Sequence, residues 1–245
     1  MFSVSRVFHA PKEGNTAEQY EDAYAFCDTA APGRLTVAVS DGASSAGYAR
    51  EWANRLVEAF ATDDAFPSDL PFFNKILALG QEWRGAVTDG ATSWYAQEKL
   101  ASGSAATLLH ARFDGENKLL TASCVGDVCL FVIRNDRLRF GFPVARAKGF
   151  SNRPDLLSTE EIGTRKPPHV FRFTTAIEPG DRFLLFTDAL AQYFLSRFET
   201  RRERPWHSLP NSQAELDTWL KQKRDSGEMK NDDVTLIEVV YAPTA

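Results

Sequence analysis

The chain has 245 residues, 43% of them hydrophobic and 25% charged, the usage of a globular chain able to bury a sizeable core. Its 28 basic and 33 acidic residues leave a net charge of −5, so no overall field draws it to nucleic acid or to an anionic membrane. No apolar run nears the roughly 18 residues of a membrane span, and residues 1–10 lack the basic and apolar regions of a signal peptide.

In chain order, residues 3–8, 23–27 and 35–40 read as strands, the third alternating Leu35, Val37 and Val39 with smaller residues. Trp52, Leu56, Val57 and Phe60 recur at helical spacing and predict an amphipathic helix over 47–61. Pro67 and Pro71 break the chain, and a second helical block follows over 72–100, with an interruption near Gly80 or Gly90. Strands resume at 105–113, 118–125, 128–134 and, after an Asn135-Asp136 turn, 137–140. Residues 141–168 lose periodicity and read as a surface excursion with little regular structure. Strands at 170–175 and 182–187 precede a helix over 190–198. Ser212 and Glu215 then form a capping box ahead of an apolar face of Leu216, Trp219 and Leu220, and a strand over 234–241 closes the chain. Helices do not alternate with single strands. The order therefore predicts one α+β domain over 1–245, with antiparallel sheets covered by helix pairs and no doubly wound parallel sheet.

Cys27, Cys124 and Cys129 each lie in an apolar run and read as buried reduced thiols, as in a reducing cytoplasm. His9, His110, His169 and His207 show no H-x-x-H spacing, which argues against zinc.

The chemistry lies in acids at the ends of apolar runs: Glu21-Asp22, Asp41-Gly42, Gly126-Asp127, Asp188 and Asp232-Asp233. Taken singly, each has an ordinary reading as a turn, hairpin, helix cap or solvated strand start. Five in one small domain are expected to converge on one edge of a sheet. Converging carboxylates repel one another unless a cation neutralises them. A donor set of oxygens without cysteine or histidine selects Mg²⁺ or Mn²⁺, and a pair of such ions suits phosphoester hydrolysis.

The ordered series E-D-A (21–23), S-D-G (40–42), G-S-A-A (103–106), V-G-D (125–127), L-L-F-T-D-A (184–189) and N-D-D-V-T (231–235) resembles the metal-dependent type 2C serine/threonine protein phosphatases. The resemblance runs from about residue 5 to 241 and implies a four-layer α-β-β-α sandwich, two antiparallel sheets flanked by helix pairs. It implies that Asp41 bridges two Mn²⁺ or Mg²⁺ ions. Glu21 and the Gly42 carbonyl complete one ion's ligands, and Asp188 and Asp232 bind the other. Asp22 would hold a metal-bound water, and Asp127 would help bind a third, weaker ion used by some relatives. Asp233 falls where many relatives have Asn. Residues 141–168 would be the family's flap, here with Arg146, Lys148, Arg153, Arg165 and Lys166.

Three departures stand out: Ala17 where many relatives place a phosphate-gripping arginine, Ala43-Ser44-Ser45 in place of a glycine-rich continuation, and Ala189 in place of glycine. Lys12 is the only cation of the segment 9–17, ahead of the first acidic motif, and is expected to contact the substrate phosphate. The expected activity is hydrolysis of phosphoserine and phosphothreonine in a protein substrate that a cognate kinase phosphorylates. A degenerate phosphoprotein-binding module and a phosphatase of small phosphoesters or nucleotides are the alternatives.

Overall fold

Strands that are apolar on both faces need cover on both faces, and the chain supplies it in four layers. The computed structural model describes residues 2–28, 33–63, 66, 68–88, 102–151, 153–160 and 167–242. Its strands, in chain order, are β1 (Phe2–Ala10), β2 (Ala23–Cys27), β3 (Arg34–Ser40), β4 (Ala105–Ala106), β5 (Leu108–Asp114), β6 (Leu119–Val125), β7 (Cys129–Arg134), β8 (Arg137–Phe142), β9 (Leu157–Ser158), β10 (Phe171–Ala176), β11 (Arg182–Phe186) and β12 (Val234–Tyr241). The α-helices are α1 (Ala49–Ala61), α2 (Asp69–Thr88), α3 (Asp188–Arg201) and α4 (Gln213–Asp225).

One five-stranded sheet runs β1-β12-β11-β7-β8 and the other β10-β6-β5-β3-β2, with every pairing antiparallel. The period-2 alternation of each strand divides its side chains between two cores. Leu35, Val37 and Val39 of β3 meet Phe183 and Leu185 of β11 and Ile237 and Val239 of β12 in the seam between the sheets. The opposite face of β11, Leu184 and Phe186, packs under Leu190 and Phe194 of α3 and Leu216 and Leu220 of α4. Ala38 of β3 and Leu108 of β5 lie under Trp52, Leu56 and Phe60 of α1 and Phe72, Ile76 and Trp83 of α2. The expected α-β-β-α sandwich is the observed one.

Several local readings are corrected. α2 runs unbroken through Gly80, where a Cβ would stand 3.2 Å from Thr159 O; residues 89–101 lie outside the described residues. The strand expected over 105–113 is divided at Thr107, where Oγ1 accepts from the Asp41 N–H at 2.9 Å. Gly126-Asp127 is not a hairpin turn: it carries the chain from β6 in one sheet to β7 in the other. Cys124 and Cys129 are buried, but Cys27 is only partly so, and all three are free.

The excursion over 141–168 is tied down more firmly than its loss of periodicity implies. β9 pairs with β4, the Trp52 indole N–H donates to Leu157 O at 2.8 Å, and Arg84 donates to Thr159 O at 3.1 Å. A two-residue strand is too short to leave a pattern in sequence. Arg146, Lys148 and Arg153 are exposed on this segment, and Arg165 and Lys166 lie outside the described residues.

Candidate metal centre

Strand register decides where the acids go. Ala23 pairs with Ser40, so the start of β2 and the end of β3 share one rim. Phe186 pairs with both Leu236 and Cys129, so the end of β11 and the starts of β12 and β7 share a rim of the other sheet. The sandwich brings these two rims together. The acids therefore converge at one end of both sheets, which corrects the expectation of a single sheet edge. Asp41 feels the charges of Asp22, Asp188, Asp232 and Asp127 together.

Asp22 is 2% exposed and lies deepest in this end. Its Oδ2 accepts from Thr187 Oγ1 at 2.9 Å and Thr235 Oγ1 at 2.8 Å. Tyr20 OH closes on Thr235 Oγ1 in turn. The two threonines are locked to each other, since Thr235 N–H donates to Thr187 Oγ1 at 3.0 Å. Burial first, and then the charge of Asp233, push the Asp22 carboxyl well above the usual carboxylate range. Thr187, Thr235 and Tyr20 went unread in the sequence, although both threonines stand inside the T-D-A and D-V-T motifs.

Asp233 is not a solvated strand start. It is 5% exposed, and its two oxygens accept the backbone N–H groups of Lys12 and Glu21, each at 2.7 Å. It anchors the approach to the first acidic motif and leaves neighbouring Asp232 to face the site. Glu21 Oε2 accepts from Ser44 Oγ and lies 3.5 Å from Lys12 Nζ, which also donates to Ser44 Oγ at 3.2 Å. The Lys12 ammonium thus sits on the candidate ligand Glu21. Beside Ala17, Arg50 of α1 donates to the carbonyls of Ala17 at 3.4 Å and Glu18 at 3.0 Å.

Gly42 admits no side chain: a Cβ there would stand 2.6 Å from Glu21 O. It bridges to Ala106, and Thr107 N–H donates to Asp41 O at 2.9 Å, so β4 and its neighbours hold the Asp41-Gly42 backbone. Burial, followed by the four neighbouring acids, raises the Asp41 carboxyl well above its ordinary value. Asp127 is 6% exposed, and burial with the charge of Asp188 pushes it up to about 7. Asp188, the first residue of α3, is raised chiefly by burial. Asp127 Oδ1 and Asp188 Oδ1 are both buried without a hydrogen-bond partner.

Lys230 was also missed. Its Nζ is 2.6 Å from Asp232 Oδ2 and 3.3 Å from Asp188 Oδ2. Burial works against the ammonium, but the hydrogen bond to Asp232 and the two acidic charges outweigh it and raise the Lys230 pKa.

As the side chains stand, no three His, Cys, Asp or Glu residues among those described form a group that encloses one ion. The donors nevertheless fit a hard divalent cation. Every candidate ligand is an oxygen, two buried carboxylate oxygens lack partners, and the carboxylates raise one another's pKa.

A model of the family described as Protein phosphatase 2C matches residues 15–222. Among solved structures, the photosystem II phosphatase PBCP aligns with a TM-score of 0.61 at 18% identity, covering 98% of this chain and 99% of that one. The catalytic domain of the serine/threonine protein phosphatase PstP, in complex with two manganese ions, aligns at 0.56 and 18% identity over 99% and 100% of the two chains. PppA of Pseudomonas aeruginosa, a key regulatory component of T6SS, aligns at 0.56 and 18% identity over 98% and 97%. No curated protein sequence matches significantly. At these identities the solved structures establish the shared fold, and the family match spans most of the length. With its acidic motifs gathered at one end of that fold, the chain belongs to the protein phosphatase 2C family of metal-dependent serine/threonine protein phosphatases.

Proposed function

We propose that this end of the sandwich is the catalytic centre, where phosphoserine and phosphothreonine esters of a protein substrate are hydrolysed. Asp41, Glu21 and the Gly42 carbonyl serve one Mn²⁺ or Mg²⁺ ion; Asp41, Asp188 and Asp232 serve a second; Asp127 helps hold a third. The observation that carries this reading is a contrast within the fold. Buried acids elsewhere meet a cation: Asp181 is bound by Arg134 at 2.8 Å, and Glu238 by Arg182 at 2.6 Å. Asp22, Asp41 and Asp127 make no ion pair among the described residues, although burial raises all three. Uncompensated buried carboxylates are costly to keep, and a divalent cation removes that cost.

When bound, the ions supply Lewis acidity and an activated water for in-line attack on phosphorus. The chain's own residues do the positioning. Asp233 fixes Glu21 through its backbone, and the Thr187–Thr235 pair aims Asp22 into the site, where it holds the attacking water. Lys12 stands at the edge of the site, where its ammonium meets the phosphate dianion. The segment over 141–168 acts as a flap, with Arg146, Lys148 and Arg153 offering cations to an acidic phosphopeptide. A kinase is the class of enzyme that must supply this substrate. Free thiols at Cys27, Cys124 and Cys129 suit a reducing compartment such as the cytoplasm.

The test is hydrolysis of a phosphopeptide panel beside free nucleotides, with Mn²⁺, with Mg²⁺ and with chelator. Phosphopeptide turnover that requires metal is expected. Metal-independent turnover, or turnover of nucleotides alone, overturns the reading.

A further inference from the structure

We propose that Lys230 is a tethered counter-ion of the Asp188–Asp232 pair, which the second metal ion must displace, so that the chain weakens its own affinity for that ion. The inference rests on the assignment of Asp188 and Asp232 as ligands. Its ammonium lies 2.6 Å from one carboxylate oxygen and 3.3 Å from the other, bridging two acids that would otherwise face each other bare. An ammonium and a divalent cation cannot both occupy the gap between the same oxygens. The Lys230 side chain is 49% exposed, so it leaves at little cost. A hollow of about 150 Å³, with Tyr193, Ser196 and Glu228 in its walls, opens beside it and can receive the displaced stem. Asp188 Oδ1, buried and without a partner, is available from the start. No proton moves: the ammonium remains charged and exchanges a carboxylate for water.

Calorimetric titration of the metal-stripped full chain with Mn²⁺ decides the matter, comparing wild type, Lys230→Met, Lys230→Gln and Lys221→Met. The last is a control for net charge, since Lys221 pairs with Glu13 and Asp225. Two partly exposed ion pairs correspond to roughly 2- to 30-fold in an equilibrium constant. Lys230→Met and Lys230→Gln should therefore tighten the weaker class of Mn²⁺ site by about that factor, and Lys221→Met should not. In melting curves the metal-free Lys230→Met protein should unfold at a lower temperature than wild type, and saturating Mn²⁺ should remove the difference.

Unchanged or weakened Mn²⁺ binding in both Lys230 variants overturns the inference, and so does equal tightening in Lys221→Met. An unchanged isotherm with a raised KM for phosphopeptide would give Lys230 to the substrate phosphate instead. Mn²⁺ binding that Asp188→Asn weakens and Lys230→Met leaves alone refutes this inference only. Wild type that binds no Mn²⁺ refutes the ligand assignment as well.

Discussion

Gly42→Ala tests the site through its backbone, without touching a carboxylate. The new methyl carbon would lie 2.6 Å from Glu21 O, and 3.1 Å from both the carbonyl carbon and the Cβ of Ala49. To restore ordinary contact the Glu21 carbonyl must retreat by roughly 0.8 Å. It is not free to do so, because the Glu21 N–H is held by Asp233 Oδ2 at 2.7 Å. Moving the other way drives Gly42 into the first turn of α1, where Ala49 is 2% exposed. Overpacking of this kind costs about 1–3 kcal/mol of stability. The larger effect falls on rate, since a misplacement near 1 Å costs up to about 100-fold. Urea unfolding and steady-state phosphopeptide kinetics over a Mn²⁺ series measure both, at a temperature where the variant is fully folded. The expected outcome is a lower unfolding midpoint and a kcat loss that added Mn²⁺ does not restore. A variant within about 0.5 kcal/mol of wild type, with wild-type kcat/KM, would refute the assignment of Gly42 to a crowded ligand backbone.

Asp41→Asn and Asp188→Asn should each abolish turnover, and Asp41→Asn should also raise the melting temperature of the metal-free protein, because it removes an acid whose neighbours repel it; a lower metal-free melting temperature of Asp41→Asn would contradict the repulsion argument. Asp127→Asn should be milder, with activity partly restored by more Mn²⁺ in the same assay. Lys12→Ala should lower kcat/KM by roughly 10-fold or more, mainly through KM and without weakening Mn²⁺ binding; a wild-type KM would assign Lys12 to Glu21 alone. His110, buried against Phe66 and 3.1 Å from Asp63 O, has its pKa lowered by burial from 6.5 to about 4. The unfolded chain then takes up the proton first, so this contribution is full above pH 6.5 and is lost as the pH falls towards 4. Between pH 7 and 4.5 wild type should lose about 2.4 kcal/mol more in urea unfolding than His110→Phe, and parallel losses would refute it.

The sandwich was legible because central strands such as β11 carry apolar residues on both faces: Leu184 and Phe186 face the helices while Phe183 and Leu185 face the other sheet. Every acid of the site was legible too, since each stands at the end of such a run. What holds those acids was not. The threonine hydroxyls on Asp22 come from 165 and 213 positions away, and only the β11–β12 register brings them together. Asp232 and Asp233 are adjacent and chemically identical, and only the bend ahead of β12 turns one to the site and the other to the Lys12 and Glu21 backbone. Lys230 gave no signal, because a lysine in a polar turn reads as a solvated one. The two-residue pairing of β9 with β4, and the return of β9 to Trp52, depend on α1 being in place.

The same physics links the protein's stability to its activity. In this chain a buried acid remote from the site is matched by an arginine, as Asp181 is by Arg134. At the site, arginine would be the wrong partner, because a guanidinium fixed in the cluster excludes a divalent cation and keeps the carboxylates occupied. The chain instead neutralises this end weakly and reversibly: threonine hydroxyls on Asp22, and lysines on Glu21 and across Asp188 and Asp232. Partly exposed ammonium groups can leave, so the proposed ligands carry no permanent cationic partner. On the proposed ligand assignment, repulsion among Asp41, Asp127 and Asp188 is a cost the metal-free fold carries and metal binding returns, which couples occupancy of the site to the firmness of the strand ends that build it.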